Sequence, residues 1–126
     1  IGSPNRNVDE GAIFLMNHSL EEPILLWEGQ FENEEFGKEI LIHDINNDGI
    51  SDVVVGVPKN SVEGIESGAV YIALGPVVGD HWDAIFYGSS DFEQMGYSLS
   101  PAEGGFWVGA IGYDESKGTV WKIVWQ

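Results

Sequence analysis

Asp44, Asn46, Asp48 and Asp52 stand at positions 1, 3, 5 and 9 of the run Asp44-Ile45-Asn46-Asn47-Asp48-Gly49-Ile50-Ser51-Asp52. Alternate side chains of a curled loop can point at one centre. Hard cations such as calcium take six to eight oxygens from carboxylates, amides, carbonyls and water. Three carboxylates and an amide meet that demand, and the main-chain carbonyl of Ile50 adds a fifth oxygen. Gly49 permits the sharp turn at position 6. A helix–loop–helix calcium site would close with a bidentate Glu at position 12, where this chain has Val55. The flanks, Ile40-Leu41-Ile42 and Val53-Val54-Val55-Gly56-Val57, read as short β-rich runs. The loop is therefore expected to join two strands and hold one calcium ion per chain, with Asp52 as last ligand. The plain alternative is a solvated Asp/Asn/Gly turn, which does not need four oxygens on this spacing.

No other group of residues has such a spacing. His18, His43 and His81 are scattered, none with a His, Cys or Glu partner at ligand spacing. Strand alternation would turn His43 away from Asp44. Nucleophile-elbow, zinc-protease and P-loop motifs are absent from the sequence. Ser98 and Ser100 have no base nearby in sequence. Glu21-Glu22 and Asp114-Glu115 read as solvated turns. A glycosidase pair stays open, because its carboxylates can be remote in sequence. The reading is non-enzymatic, with no catalytic residue. Trp27, Trp107, Trp121 and Trp125 fall in strand-like runs and are expected to pack between sheets. Trp82 follows a loop, where its indole could stack on a sugar ring or partner, or anchor the loop.

The elements that position these residues are short, apolar, β-branched and aromatic, punctuated by 17 glycines. No helical period of ten residues or more occurs, so the class is all-β. The pattern repeats. Gly2-Ser3-Pro4, Gly56-Val57-Pro58 and Gly109-Ala110-Ile111 lie 54 and 53 residues apart. Gly-led strands follow at Gly11-Ala12-Ile13-Phe14, Gly68-Ala69-Val70-Tyr71 and Gly118-Thr119-Val120-Trp121. Phe36-Gly37 and Met95-Gly96 stand at matching places after Trp27-Glu28-Gly29 and Phe86-Tyr87-Gly88. A period of this size with several strands per period signals a propeller or solenoid.

Phe36-Gly37, Gly56-Val57-Pro58 and the loop between them resemble the FG-GAP repeat of integrin α-subunit β-propellers. The resemblance implies antiparallel four-stranded blades, about two per chain. Residues 36–88 form the complete calcium-binding blade, 1–29 a partial one and 95–126 a partial, degenerate one, within a single 1–126 module. It implies Ca2+ held by Asp44, Asn46, Asp48, the Ile50 carbonyl and Asp52. No metal is carried onto the last repeat, where Ser100-Pro101-Ala102-Glu103-Gly104-Gly105 stands in place of a calcium loop. The strand register reads B-end (1–4), C (11–16) and D (23–27); then A (36–43), B (52–57), C (69–74) and D (84–87); then A (96–100), B (106–111) and C (119–125).

About two blades cannot close a ring alone. Either the chain is a piece of a longer propeller, or copies complete one another. Strand 119–125 would be a long apolar edge, which is an aggregation hazard unless paired. Pro23, Leu25 and Trp27 of another copy could pair with Val120, Trp121, Ile123 and Trp125, head to tail, giving a ring or filament.

Size, charge and cysteine content narrow the rest. One domain's worth of chain, 126 residues, can bury a real core. Net charge is −16, from 21 acids against five bases; such a surface repels nucleic acid and anionic membranes. No apolar run approaches a membrane span. The absence of cysteine excludes a disulfide framework and a thiolate metal site. No leader is visible, and the opening on Ile suggests processing or trimming. Extracellular millimolar calcium suits a modest site of this kind, so an extracellular or cell-surface location is expected. Asn17 in Asn17-His18-Ser19 is a glycosylation candidate. The function expected is a non-catalytic extracellular calcium-binding module for protein–protein adhesion or self-assembly, with contacts at loops 59–67 and 114–117. The alternatives are a subunit of an extracellular filament or ring, and a carbohydrate-binding module using Trp82. Partners are other copies, other extracellular proteins or glycans.

Overall fold

The computed structural model describes residues 1–3, 10–16, 18–19, 22–79 and 81–126. Three antiparallel sheets follow one another along the chain. The first holds β1 (Gly2–Ser3), β2 (Ala12–Leu15) and β3 (Ile24–Glu28), in that order. The second is the four-stranded meander β4 (Glu39–His43), β5 (Asp52–Val57), β6 (Ala69–Ala73) and β7 (Ala84–Tyr87). The third has β8 (Met95–Ala102), β9 (Gly105–Ala110) and β10 (Thr119–Val124), in the order β10–β9–β8. A four-residue turn, α1 (Tyr113–Ser116), precedes β10; Asp114 and Glu115 inside it have positive φ. This is the all-β, blade-like architecture expected, one four-stranded sheet between two three-stranded ones.

The two central strands of the middle sheet, β5 and β6, are buried on both faces, so they are near-continuous apolar runs rather than alternating ones. Val55 and Val57, with Ala69, Tyr71 and Ala73, pack on Ile13 and Trp27 of the first sheet. Val54, Val70 and Ile72 pack on Phe106, Val108 and Ala110 of the third. Each large apolar side chain buried this way contributes about 1.5–3 kcal/mol. These two inter-sheet cores hold the chain together.

The repeat is visible in the contacts. Gly11 bridges Phe36 and Gly68 bridges Met95, both in parallel. The Gly29 N–H donates to Gly11 O at 3.0 Å and the Gly88 N–H to Gly68 O at 2.9 Å. Side by side lie Gly2 with Gly37, and Gly56 with Gly96; a Cβ on Gly2 or Gly56 would run into the other's carbonyl oxygen. That close approach is the physical reason for the paired glycines of the two motifs.

Several expectations need correction. Ser100-Pro101-Ala102-Glu103-Gly104-Gly105 is not an open loop: β8 runs on to Ala102 and β9 begins at Gly105, leaving a two-residue turn. Pro101 is tolerated because β8 is an edge strand. Of the two readings left open for Trp82, the structure bears out the loop anchor. Its ring stacks on Trp27 at 4.4 Å and meets Phe36 and Tyr71 edge-on at 5.9 and 5.3 Å. Trp107 does not pack between sheets; it is exposed, with Lys122 Nζ 5.7 Å from its ring centroid. Trp121 is also exposed, edge-on to Tyr113. Of the side chains expected to meet a second copy, Trp27, Ile123 and Trp125 pack instead within the chain. Pro23, Leu25, Val120 and Trp121 remain outside.

Candidate metal centre

Residues 44–51 connect β4 to β5 at one end of the complete blade, and Asp52 opens β5. Ile45 anchors the loop by burying its side chain in the core between the second and third sheets. Asn47 and Gly49 take positive φ, 61° and 84°. Nothing lies within 4 Å of a Cβ added to Gly49, so the backbone angle alone asks for glycine there.

The acids organise the loop through its own N–H groups. Asp44 accepts from the Asp48 N–H at 3.1 Å and the Gly49 N–H at 2.8 Å. Asn46 Oδ1 also accepts from the Asp48 N–H, at 3.1 Å. Asp48 accepts from the Ile50 N–H at 2.8 Å and from Asn46 Nδ2 at 3.0 Å. Asp52 is 0 % exposed and accepts from the Ile45 N–H and the Gly75 N–H, each at 2.8 Å. It thereby ties the loop to the β6–β7 connection.

All five expected donors, Asp44, Asn46, Asp48, the Ile50 carbonyl and Asp52, belong to this one short segment. Among the described residues, no set of three acidic, cysteine or histidine side chains stands at metal-holding distance. The donor chemistry nevertheless fits a hard cation. A carboxylate has about four acceptor positions, and each of these three uses two on N–H groups. Among the described residues no ion pair reaches Asp44, Asp48 or Asp52. Among the described residues the lysines are engaged elsewhere: Lys38 and Lys59 on Glu35, Lys117 on Asp114, and Lys122 over the Trp107 ring. The loop thus concentrates negative charge without a counter-charge among the described residues.

His43 does not turn away from the loop. Asp44 lies beyond the end of β4, so strand alternation no longer relates the two. His43 Nε2 lies 3.1 Å from Ala102 O, and His43 and Asp44 line one concavity of about 430 Å³ with Asn47, Pro101, Ala102 and Glu103. His81 lies 3.5 Å from Asp83. Asn17 lies outside the described residues.

Two residues missed in the sequence define the opposite end. Glu34 and Glu93 are each 2 % exposed. Glu34 Oε1 accepts from the N–H groups of Gln30 and Phe31 at 2.6 and 3.3 Å, and Oε2 from Asn60 Nδ2 at 3.0 Å. Glu93 accepts from the N–H groups of Ser89 and Ser90 at 2.7 and 3.2 Å. The signal was present: in Gly29–Gly37 and Gly88–Gly96 the sixth residue is Glu both times. Beside Glu34, burial pushes the Glu35 carboxyl up. Hydrogen bonds and charge from Lys38 and Lys59 outweigh this and hold it below the usual carboxylate value.

Over 78 residues, 58% of its length, the chain is 34% identical to integrin alpha-6 of Homo sapiens. Over 78 residues it is 37% identical to integrin alpha-6 of Gallus gallus. The matched stretch spans 7% of the length of each relative. No protein-family model matches the chain. The resemblance carried by Phe36-Gly37 and Gly56-Val57-Pro58 is thus to an integrin α-type FG-GAP region. Among the described residues, no helix is long and apolar enough to cross a membrane.

Proposed function

We propose that the chain is a calcium-stabilised, non-catalytic FG-GAP module that serves protein–protein adhesion outside the cell or at its surface. Residues 36–88 are its calcium-binding blade, and 1–29 and 95–126 are partial blades of the same module. The observation that carries the reading is the 44–52 segment: five oxygen donors, no counter-charge among the described residues, and a buried Asp52 at its base, in a chain similar to integrin alpha-6. Asp44, Asn46, Asp48, the Ile50 carbonyl and Asp52 would hold the ion, which would supply charge neutralisation among three carboxylates. Asp52 and Ile45 hold the loop in place, while Asp44 and Asp48 fold its backbone around the donors. Extracellular millimolar calcium would keep such a site filled. Protein partners are placed at the opposite end, on the loops that include 59–67 and 114–117. The experiment is thermal melting with calcium and with chelator. A site holding saturating metal adds a few kcal/mol, so chelator lowers the melting temperature of the wild type and leaves that of Asp48→Ala unmoved. Identical wild-type curves would refute it.

A second reading is self-assembly into a filament or ring. It is favoured by one observation: β3 and β10 each end a different sheet, with Leu25, Val120 and Trp121 exposed beside those edges. Pairing β10 of one copy with β3 of another would satisfy both edges. Light scattering at two protein concentrations tests it. Growth in size with concentration, suppressed by Trp121→Lys, supports assembly, and a constant monomer mass contradicts it. The carbohydrate-binding alternative has lost its carrier, since Trp82 is packed against Trp27, Phe36 and Tyr71.

A further inference from the structure

The end opposite the calcium loop is knitted from three loops. The Asn60 amide reaches Glu34, Lys59 pairs with Glu35 at 2.7 Å, the Phe92 N–H donates to Ile65 O, and the Ile65 N–H donates to Asp91 Oδ1 at 2.9 Å. On this polar framework stand four large apolar side chains: Phe31 at 48 %, Val62 at 46 %, Ile65 at 57 % and Phe92 at 55 % exposure. They are neighbours. Phe31 and Val62 line one groove of about 340 Å³ floored by Glu34, and Ile65 and Phe92 are joined main chain to main chain. The β5–β6 loop carries both Val62 and Ile65 and so links the two pairs into one band, with Phe31 before β4 and Phe92 before β8. Single exposed apolar residues are ordinary, but a band of them rimmed by polar groups marks an interaction site.

The charges around the band select the partner. Glu32 and Glu63 form no ion pair among the described residues, and Asp91 is exposed. Among the described residues, the bases at this end are already held: Lys38 and Lys59 by Glu35, Lys117 by Asp114. Burying Glu32 and Glu63 under a neutral apolar partner would strip their water without replacement. An acidic partner would be repelled, and so would a second copy of a chain carrying −16. We propose that this band docks an extended segment of another protein in which apolar and basic side chains alternate. The apolar ones would enter at Phe31/Val62 and at Ile65/Phe92, and the basic ones would meet Glu32, Glu63 and Asp91. This deepens the adhesion reading and rests on it.

Three labelled peptides of equal length test it by fluorescence anisotropy on the whole chain in calcium: alternating Leu/Lys, Leu/Glu and Ser/Lys. The Leu/Lys peptide binds saturably and the other two at least about tenfold more weakly. Phe31→Ser with Ile65→Ser weakens Leu/Lys binding by at least about tenfold, and so does Glu32→Lys with Glu63→Lys. The same charge change at Glu22, exposed away from this band and from the calcium loop, leaves binding as it was. Should the serine pair unfold the chain, the lysine pair carries the test, since both its positions are exposed. No saturable Leu/Lys binding, equal binding of Ser/Lys, or equal loss in the Glu22 control overturns the proposal, the last two by reducing it to diffuse attraction. A chain that keeps its calcium-dependent melting but fails here loses only the docking surface. Peptide binding without calcium-dependent melting removes only the calcium site.

Discussion

Asp48 and Asp52 belong to one loop but do different work. Asp48 is exposed, and its partners are loop neighbours. Asp52 is buried and holds two N–H groups from separate segments. We expect Asp48→Ala to abolish the calcium response while changing the chelated protein little. Asp52→Ala should destabilise the chelated protein too, by about 2–4 kcal/mol, because one buried and one half-buried donor lose their acceptor. Urea unfolding in chelator separates the two; equal losses would contradict the division. Tyr71 gives a pH-dependent prediction. Burial first, then the charge of Glu34 and the neighbouring Tyr87, push its hydroxyl far above the ordinary value of 10.0. A raised acid keeps the folded form favoured below that ordinary value, and the benefit is lost as pH climbs beyond it. Of the four tyrosines, one should therefore ionise only as the chain unfolds in alkali. Tyrosinate absorbance follows this, and four phenols titrating together in the folded chain would contradict it.

At the scale of elements, glycines with different duties can be told apart. Gly56 touches Gly96, so any side chain there forces two sheets apart; Gly56→Ala should cost about 1–3 kcal/mol. Gly49 has open space and only its φ of 84° to satisfy. Gly49→Asn should therefore be nearly neutral without calcium, whereas Gly56→Asn should be worse than Gly56→Ala. Denaturation midpoints of the three variants decide it, and the reverse ranking would contradict this account. The same contrast explains what could be read in advance. The middle sheet and the 44–52 loop were legible because their signals are local: ligand spacing, short β-branched runs, glycine punctuation. Trp82 was not, because its partner Trp27 lies 55 residues away and only the folded sheets bring them together. The tight turn at Glu103-Gly104 was hidden by Pro101, which looks like a strand breaker unless the strand is known to lie at an edge. Glu34 and Glu93 looked like surface acids. Burial became visible only once their N–H donors were in place.

For the whole molecule, two inter-sheet cores join one four-stranded sheet to two three-stranded ones, and the loops gather at two ends. One end holds the acid-rich 44–52 segment; the other presents an apolar band with exposed acids. A chain at −16 with five bases has strong self-repulsion to offset, and a divalent cation held by the 44–52 segment would offset part of it. The central claim is that this loop binds calcium and thereby braces the blade. Isothermal titration calorimetry of the calcium-free chain tests it most directly. The account predicts saturable binding of one calcium per chain, absent in Asp48→Ala. No saturable heat, or the same isotherm in Asp48→Ala as in the wild type, would contradict it.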